Sequence, residues 1–534
     1  MHAYIFPKRI LHTDNVKNAD NLLNKQPLQV WLSEPNTVVM DAGESITFDF
    51  GKELAGGVRI LTAYAGGEKK IRIRFGESLS ETNAEIGEKG ATNDHSTRDM
   101  TVELQSCSDM TFGQTGFRFV RIDILENTGI VLKCVVAKPQ IFSKRALGTF
   151  KSDDTVINQI FDTAAYTLRL CLQNGRIWDG VKRDRLVWMG DMHPEILCLM
   201  CLYGNLTHVK NSLDFVKNSC PLPSWMNNIP TYSFWWMIIL RDYYRQTGDI
   251  VYIRAQTEYI HGLLSQINDC VDENGTFSFS NCEKEMQYFI DWQTHNQADE
   301  LAGVQALALL ALGSIKQLLR TLEQSTRICD CIIAKVRKAT YTVQKQKQIS
   351  ALRILAGIGN TNDEQLLLNG GATGMSTFMA YYILKAICLC GKYEYAFAVA
   401  KEYYGKMLDL GATSFWEDFN VDWAINTCAI DKLPKENQLD IHGDFGAFCY
   451  KGFRHSLCHG WSSGVLPYLI QEVAGIKILA DGCKKIRIQP NLCSLQSLNV
   501  SYPTPYGVIK LECKKNGDLM QTKIVAPNEI EILQ

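Results

Sequence analysis

The chain has no surplus of either charge: 55 lysines and arginines stand against 57 aspartates and glutamates, a net charge of −2 over 534 residues. That balance argues against a polyanion-binding surface or a disordered acidic tail, so no nucleic-acid partner is expected. The opening residues Met1 to Arg9 hold no long apolar segment, and no later run is expected to reach membrane-spanning length without interruption. No membrane partner follows from such a pattern. Eighteen cysteines are present, but only Cys198 and Cys201 form a C-x-x-C, inside the apolar run 196–202, and no second such pair stands at zinc-finger spacing. Cys198 and Cys201, like Cys388 and Cys390 in a similar apolar run, therefore read as small core residues; structural zinc is not expected, and abundant unpatterned thiols favour a reducing cytoplasmic compartment, or a periplasmic one if a leader has been removed. Low-complexity tracts and short-period repeats are missing as well.

What remains is globular. A composition 46% hydrophobic and 21% charged, over this length, predicts two to four domains. Ten tryptophans suit a protein that stacks flat apolar faces, sugar rings included.

Hydrophobic periodicity divides the chain into three. From about 28 to 145 apolar and polar residues alternate, as in 45–50, 70–75 and 117–124, with glycines at 51, 56, 57, 66, 67 and 76 between the runs. That is a β-sandwich pattern, interrupted at 78–99 by a polar stretch too long for a hairpin turn and read as a mobile or functional loop. Near Gly148 the period changes to about 3.6 residues, and Asp153 and Asp154 offer caps for a helix with Ile157, Ile160, Phe161, Ala164 and Leu168 on one face. Further helices are predicted at 194–204, 231–246, 250–267, 300–321, 324–343, 374–390, 393–408 and 457–472, about twelve in the whole span. Several are apolar on more than one face, which demands an inner layer covered by an outer one. An (α/α)6 barrel meets that demand. After Gly475 alternation returns, with Asn516-Gly517 as a hairpin turn. The expected fold is thus multidomain, all-α plus all-β: a sandwich at 1–147, a barrel at 148–473 and a second sandwich at 474–534.

The chemistry concentrates in two stretches predicted as loops at one barrel mouth. One runs from Asp179 through Arg183, Asp184, Arg185 and Trp188 to Asp191; the other is 411–418, with Trp416, Glu417 and Asp418. Two carboxylates brought together from distant segments are what general-acid and general-base work on a glycosidic bond requires.

The ordering of these motifs resembles the α-L-rhamnosidases of glycoside hydrolase family 78. Asp179, Arg183, Leu186, Trp188, Gly190 and Asp191 keep the spacing of the family's central motif. Tyr232 to Trp236, Asp242 to Asp249, Phe289 to Trp292, Gly411 to Glu417 and Ser456 to His459 follow in the family's order, and 484–490 and 503–507 look like its closing sandwich. The chain departs from the pattern where Asp184 replaces a glutamate, Gly180 and Val181 replace Cys-Pro, and Cys458 stands where asparagine is common. The resemblance implies an inverting hydrolase of terminal α-L-rhamnosides or similar deoxy-sugars, acting without cofactor or metal, with a homodimer left open. By position Asp184 is the proton donor and Glu417 the base. Burial and the like charges of Asp179 and Asp191 would have to oppose Arg183 and Arg185 around the donor. Asp179, Arg183 and Asp191 are cast as hydroxyl ligands. Trp188, Trp236, Trp292 and Trp416 are cast as apolar walls, Asp291 as a ligand for a hydroxyl or the water, and His459, paired by spacing with His455 on a helical face, as a hydroxyl-binding or packing residue. Two alternatives stay open: a non-catalytic sugar-binding protein on the same scaffold, and a phosphorylase or inverting glycosidase of the same fold with another sugar.

Overall fold

The computed structural model describes residues 4–64, 69–126, 129–294, 297–517 and 519–534; Gly66 and Gly67, expected as turn glycines, lie outside them. The amino-terminal part is an antiparallel β structure built on two long strands, Ser45–Thr62 and Asp109–Ile124, which pair with each other along most of their length. Register shifts near Asp49 and Gly56 bend the first of these, so that Arg9–Asp14 pairs with one half and Ile130–Pro139 with the other. Phe48, Phe50, Ile60, Ile73, Phe75, Phe117 and Ile122 fill the interior. Alternation in these strands does not mean a solvated outer face. Thr47, Asp49 and Arg118 are also buried, because Arg118 pairs with Asp49 through two 2.9 Å hydrogen bonds and donates to the carbonyl of Gly411.

The helical part closes into a double ring. Met192–Tyr203, Pro230–Thr247, Gln297–Thr321, Lys347–Leu355, Ala380–Leu389 and the segment 460–473 contact one another in sequence, and the last returns to the first. Thr155–Cys171, Thr207–Ser219, Thr257–Asp269, Arg327–Val336, Thr361–Leu368 and Tyr393–Asp409 form the outer layer. Sequence explains the division: every residue of Met192–Tyr203 is buried, whereas Thr207–Ser219 buries only Val209, Ser212, Leu213 and Val216 along one stripe. The stretch Ala298–Thr321 is in fact long and apolar enough to cross a membrane, with mean hydropathy 1.5, contrary to expectation. Two thirds of its apolar window (67%) is buried within the ring, so its composition reflects core packing.

Several expectations fail locally: helix 250–267 divides at Gln256 into Ile250–Ala255 and Thr257–Asp269, and helix 374–390 begins only at Ala380. Helix 324–343 shortens to Arg327–Val336. Helix 457–472 breaks into a 3-10 turn, one α-turn and a π-turn, since Gly460 and Gly464 and the polar Ser462 and Ser463 interrupt the apolar pattern. Strand Thr149–Ser152, placed by sequence at the barrel's start, instead pairs with Ser497–Thr504 and completes the four-stranded carboxy-terminal sheet. A three-stranded sheet of Ile476–Ala480, Lys485–Ile488 and Glu531–Leu533 accompanies it, and Asn516 pairs with Leu519 across the predicted hairpin.

Candidate active site

Three loops meet at the barrel mouth and are joined through their backbones. Gly180 and His459 form an antiparallel bridge, the Gly460 amide donates to Asp179 O at 2.6 Å, and the Glu417 amide donates to Ser456 O at 2.9 Å. Two glycines make the approach possible. A Cβ at Gly190 would lie 2.3 Å from the Tyr232 ring, and one at Gly460 would lie 1.5 Å from Glu195 Oε1. Asp184 and Arg185 both adopt left-handed backbone (φ 53° and 59°), a conformation aspartate tolerates better than most residues. Strain of that kind is a common companion of functional loops.

The resulting pocket is lined by Asp179, Arg183, Asp184, Trp188, Asp191, Tyr232, Trp292, Glu417, Tyr450, His459 and Trp461, among others. Its volume of about 70 Å³ holds on the order of five waters, the scale of a single pyranose ring. Arg183 ties the two proposed acid–base residues together: Nη1 donates to Asp184 Oδ1 at 2.8 Å and Nη2 donates to Glu417 Oε1. The contact to Asp184 is single, not a closed bidentate pair, and Oδ2 has no hydrogen-bond partner among the described residues. Deep burial does not surround Asp184, whose side chain is 21% exposed and contacts the Arg183 guanidinium and, at 3.6 Å, the His95 imidazole. Glu417, by contrast, is buried, accepts from the Ser456 amide at 3.1 Å and lies 3.6 Å from His459 Nδ1.

Asp191 sits at the start of Met192–Tyr203 but makes no cap hydrogen bond. Its carboxylate instead accepts from Tyr232 Oη at 2.8 Å and pairs with His459 Nε2 at 3.1 Å. Asp179 accepts from the Leu186 amide at 2.7 Å and so closes its own loop. Burial raises the pKa of both, and for Asp191 the bond to His459 only partly offsets it. Glu417 goes the other way: burial would raise it, but the charges of Arg183 and His459 hold it below the ordinary carboxylate range. Burial would lower His459, yet Glu417, Asp191 and Asp179 outweigh that and lift it to about 9.

His459 therefore stabilises the fold fully below its unfolded pKa of about 6.5, and that contribution is lost as pH rises through about 9. We expect the stability difference between wild type and His459→Asn to shrink by up to about 3 kcal/mol between those limits. Urea unfolding at pH 6 and pH 9.5 measures it, and a difference independent of pH would show that the imidazolium plays no such part.

The other sequence-predicted residues divide. Trp188 and Trp292 line the pocket. Trp236 and Trp416 do not: both are buried in the core, one edge-on to Tyr259 and the other edge-on to Phe419, because their helix or loop turns those positions inward. Asp291 is buried behind Trp292, accepts from Ser376 and is pushed up to about 6 by burial. His455 and His459 share no helical face. His455 Nε2 accepts from the Asp418 amide at 2.8 Å, while His459 faces Asp191. Sequence reasoning missed Tyr450 and Trp461, which lie in or beside short 3-10 turns and have no periodicity to mark them.

It also missed Lys182. The polar stretch 78–99 packs against the 179–191 loop, where Ser96 Oγ donates to Lys182 O at 2.6 Å. Glu77, Glu81 and His442 form a buried group of potential metal ligands. The Lys182 ammonium is bonded there to Glu77 at 3.0 Å, Glu81 at 3.1 Å and the carbonyls of Phe453 and His455 at 2.9 and 2.5 Å. Glu77 also accepts from the Leu457 amide at 2.5 Å, one residue from the Ser456 amide that holds Glu417. The turn and short helix that follow the strand Lys69–Gly76 in the amino-terminal domain thus fix both halves of the pocket. Lys182→Met should cost about 3–5 kcal/mol, because two buried carboxylates lose their counter-charge; an unchanged urea midpoint would refute this.

Residues 145–324 match the bacterial alpha-L-rhamnosidase 6 hairpin glycosidase domain, 40–141 its concanavalin-like domain and 475–532 its C-terminal domain. The chain belongs to the bacterial α-L-rhamnosidase family. Its membership rests on three domains in one order, and Glu417 and His459 lie between the matched segments, placed by the fold alone. Among solved structures, a GH78 family rhamnosidase of Bacillus sp. GL1 superposes with TM-score 0.76 at 18% identity, covering 97% of this chain and 55% of that one. A rhamnosidase from Klebsiella oxytoca with rhamnose bound gives 0.66 at 19%, covering 81% and 88%. A Streptomyces avermitilis alpha-L-rhamnosidase complexed with L-rhamnose gives 0.70 at 14%, covering 93% and 50%. This family member spans about half the length of the Bacillus and Streptomyces chains. The search of curated proteins finds no match.

Proposed function

We propose that this chain hydrolyses terminal α-L-rhamnosides, or glycosides of a similar deoxy-sugar, with inversion at the anomeric carbon. The observation that carries the reading is the single pocket lined by Asp179, Asp184 and Asp191 from one loop and by Glu417 from another, with Arg183 touching both Asp184 and Glu417. Family membership and the rhamnose named in the Klebsiella and Streptomyces complexes support the choice of sugar.

In this reading Asp184, at the pocket rim with a free oxygen, gives its proton to the departing glycosidic oxygen. Glu417, ionised and held by Arg183 and the Ser456 amide, takes a proton from water attacking the opposite face. An inverting pair usually stands about 6.5–9.5 Å apart to admit the attacking water, and here the Arg183 guanidinium bridges the two carboxyls with a hydrogen bond to each. Asp179, Asp191 and His459 offer hydroxyl ligands. Trp188, Trp292 and Tyr450 offer ring faces. The small pocket admits one ring end-on, which favours a terminal residue.

An aryl α-L-rhamnoside followed by proton NMR tests this directly. Release of β-L-rhamnose as the first product is expected. If neither it nor a panel of related aryl glycosides is cleaved while a sugar still binds, the chain is a binding protein on a glycosidase scaffold; a rate dependent on phosphate would make it a phosphorylase.

A further inference from the structure

The barrel has a second mouth. Met192–Tyr203 and Pro230–Thr247 begin at the catalytic pocket, beside Asp191 and Tyr232, and end at a separate cleft with Met200, Cys201, Arg245 and Gln246. The twelve residues of the first helix set the two sites roughly 15–18 Å apart. Strands Ile476–Ala480 and Lys485–Ile488 of the carboxy-terminal domain close the cleft, whose volume of about 310 Å³ is several times that of the catalytic pocket.

Its charge is what singles it out. Arg245, Lys385, Lys477 and Arg487 line it together with Asp242 and Glu472, so four cations face two anions, a surplus of two in a chain whose net charge is −2. Both anions are already engaged. Asp242 pairs with His193 at 3.0 Å, and Glu472 with Lys477 at 2.6 Å. Arg245 reaches Asp242 only at 3.6 Å and otherwise donates to the Ile478 carbonyl at 2.6 Å. Lys385 donates one hydrogen bond, to Tyr381 Oη at 3.1 Å, and Tyr381 Oη in turn donates to Gln471 at 2.7 Å. Among the described residues neither Lys385 nor Arg487 has a carboxylate within ion-pair distance.

Helix dipoles do not account for this. Arg245 lies in the last turn of its helix, where a cation complements the carbonyl ends, but Lys385 is mid-helix and Arg487 lies on a strand. Lys385 is part-buried and feels Asp242 and Glu472 without forming an ion pair with either, whereas Arg245, with its side chain 40% exposed, and the exposed Arg487 are open to an incoming anion.

We propose that this cleft is a second ligand site, taking a small anionic molecule of sugar size or less through a carboxylate or phosphate group held by Lys385, Arg245 and Arg487. Tyr381 and Gln471 are placed to hydrogen-bond its polar substituents. The site is independent of the glycosidase reading, because no residue of the catalytic pocket belongs to it.

Isothermal titration of the full chain with inorganic phosphate, with D-glucuronate and with uncharged D-glucose, at constant ionic strength, tests the proposal. Saturable binding of phosphate or of glucuronate, with none of glucose, is expected; whichever binds identifies the phosphate or the carboxylate as the recognised group. Lys385→Met and the more exposed Arg487→Ser should each weaken it at least tenfold, while leaving glycosidase turnover intact and while Asp184→Asn leaves binding unchanged. Absence of binding by both anions, or equal affinity in wild type and Arg487→Ser, would overturn the proposal.

Discussion

Glu417→Gln is expected to lower kcat on an aryl α-L-rhamnoside by about 10³-fold or more, close to the upper range for loss of a general base. The amide has the shape of the carboxylate but cannot accept a proton from water. It also changes the surroundings, because Glu417 accepts from Arg183 on one oxygen and from the Ser456 amide on the other. Glutamine can keep one of those donors and must turn its NH2 toward the second. Some stability is lost with the ion pair to Arg183, so the variant has to be shown folded, by its cooperative urea transition, before its rate is interpreted. Azide separates chemistry from structure. It needs no deprotonation, so in a folded Glu417→Gln protein it should restore turnover and yield the β-glycosyl azide. An undiminished rate, or a folded inactive variant that azide does not rescue, would remove Glu417 from the role of base.

The reasons why some of this was legible in the sequence and some was not are physical. The barrel could be read because its inner helices are apolar all round and its outer ones are striped, and a double layer is the packing that satisfies both. The loop from Asp179 to Asp191 and the segment ending at Glu417 stood out because carboxylates and aromatics at a helix boundary have no packing reason to cluster. What pins those loops in place was invisible. Lys182 lies next to Arg183 in sequence, but its partners Glu77 and Glu81 come from the amino-terminal region and its carbonyl acceptors from 453 and 455, contacts that no local pattern encodes. Tryptophan was a poor guide for a related reason: the indole of Trp416 follows the same chain as Glu417, but alternate side chains in an extended turn point opposite ways, one into the pocket and the other into the core. Strand Thr149–Ser152 was missed because four residues beside a strong helix signal are too few to show a period.

Asp184→Asn should produce a loss that depends on the leaving group, and this dependence is the sharper test of the site. Asparagine tolerates the left-handed backbone at this position as aspartate does, and its Oδ1 still accepts from Arg183, so the substitution removes the transferable proton with little else. For an alkyl or sugar leaving group, which must be protonated as it departs, we expect a fall of about 10²–10⁴-fold in kcat/KM. For an acidic phenol such as dinitrophenol, which leaves without help, the fall should be slight, and the alkaline limb of the pH–rate profile should flatten. Asp184→Glu would extend the carboxyl by one methylene, to the residue that the resembled family carries, and is expected to retain activity on both classes. Equal losses on acidic and alkyl leaving groups would mean that Asp184 orients the sugar instead of protonating it. The proton would then come from Asp179 or Asp191, the pocket carboxyls that burial pushes toward their neutral forms, and Asp179→Asn or Asp191→Asn would show the leaving-group dependence in its place.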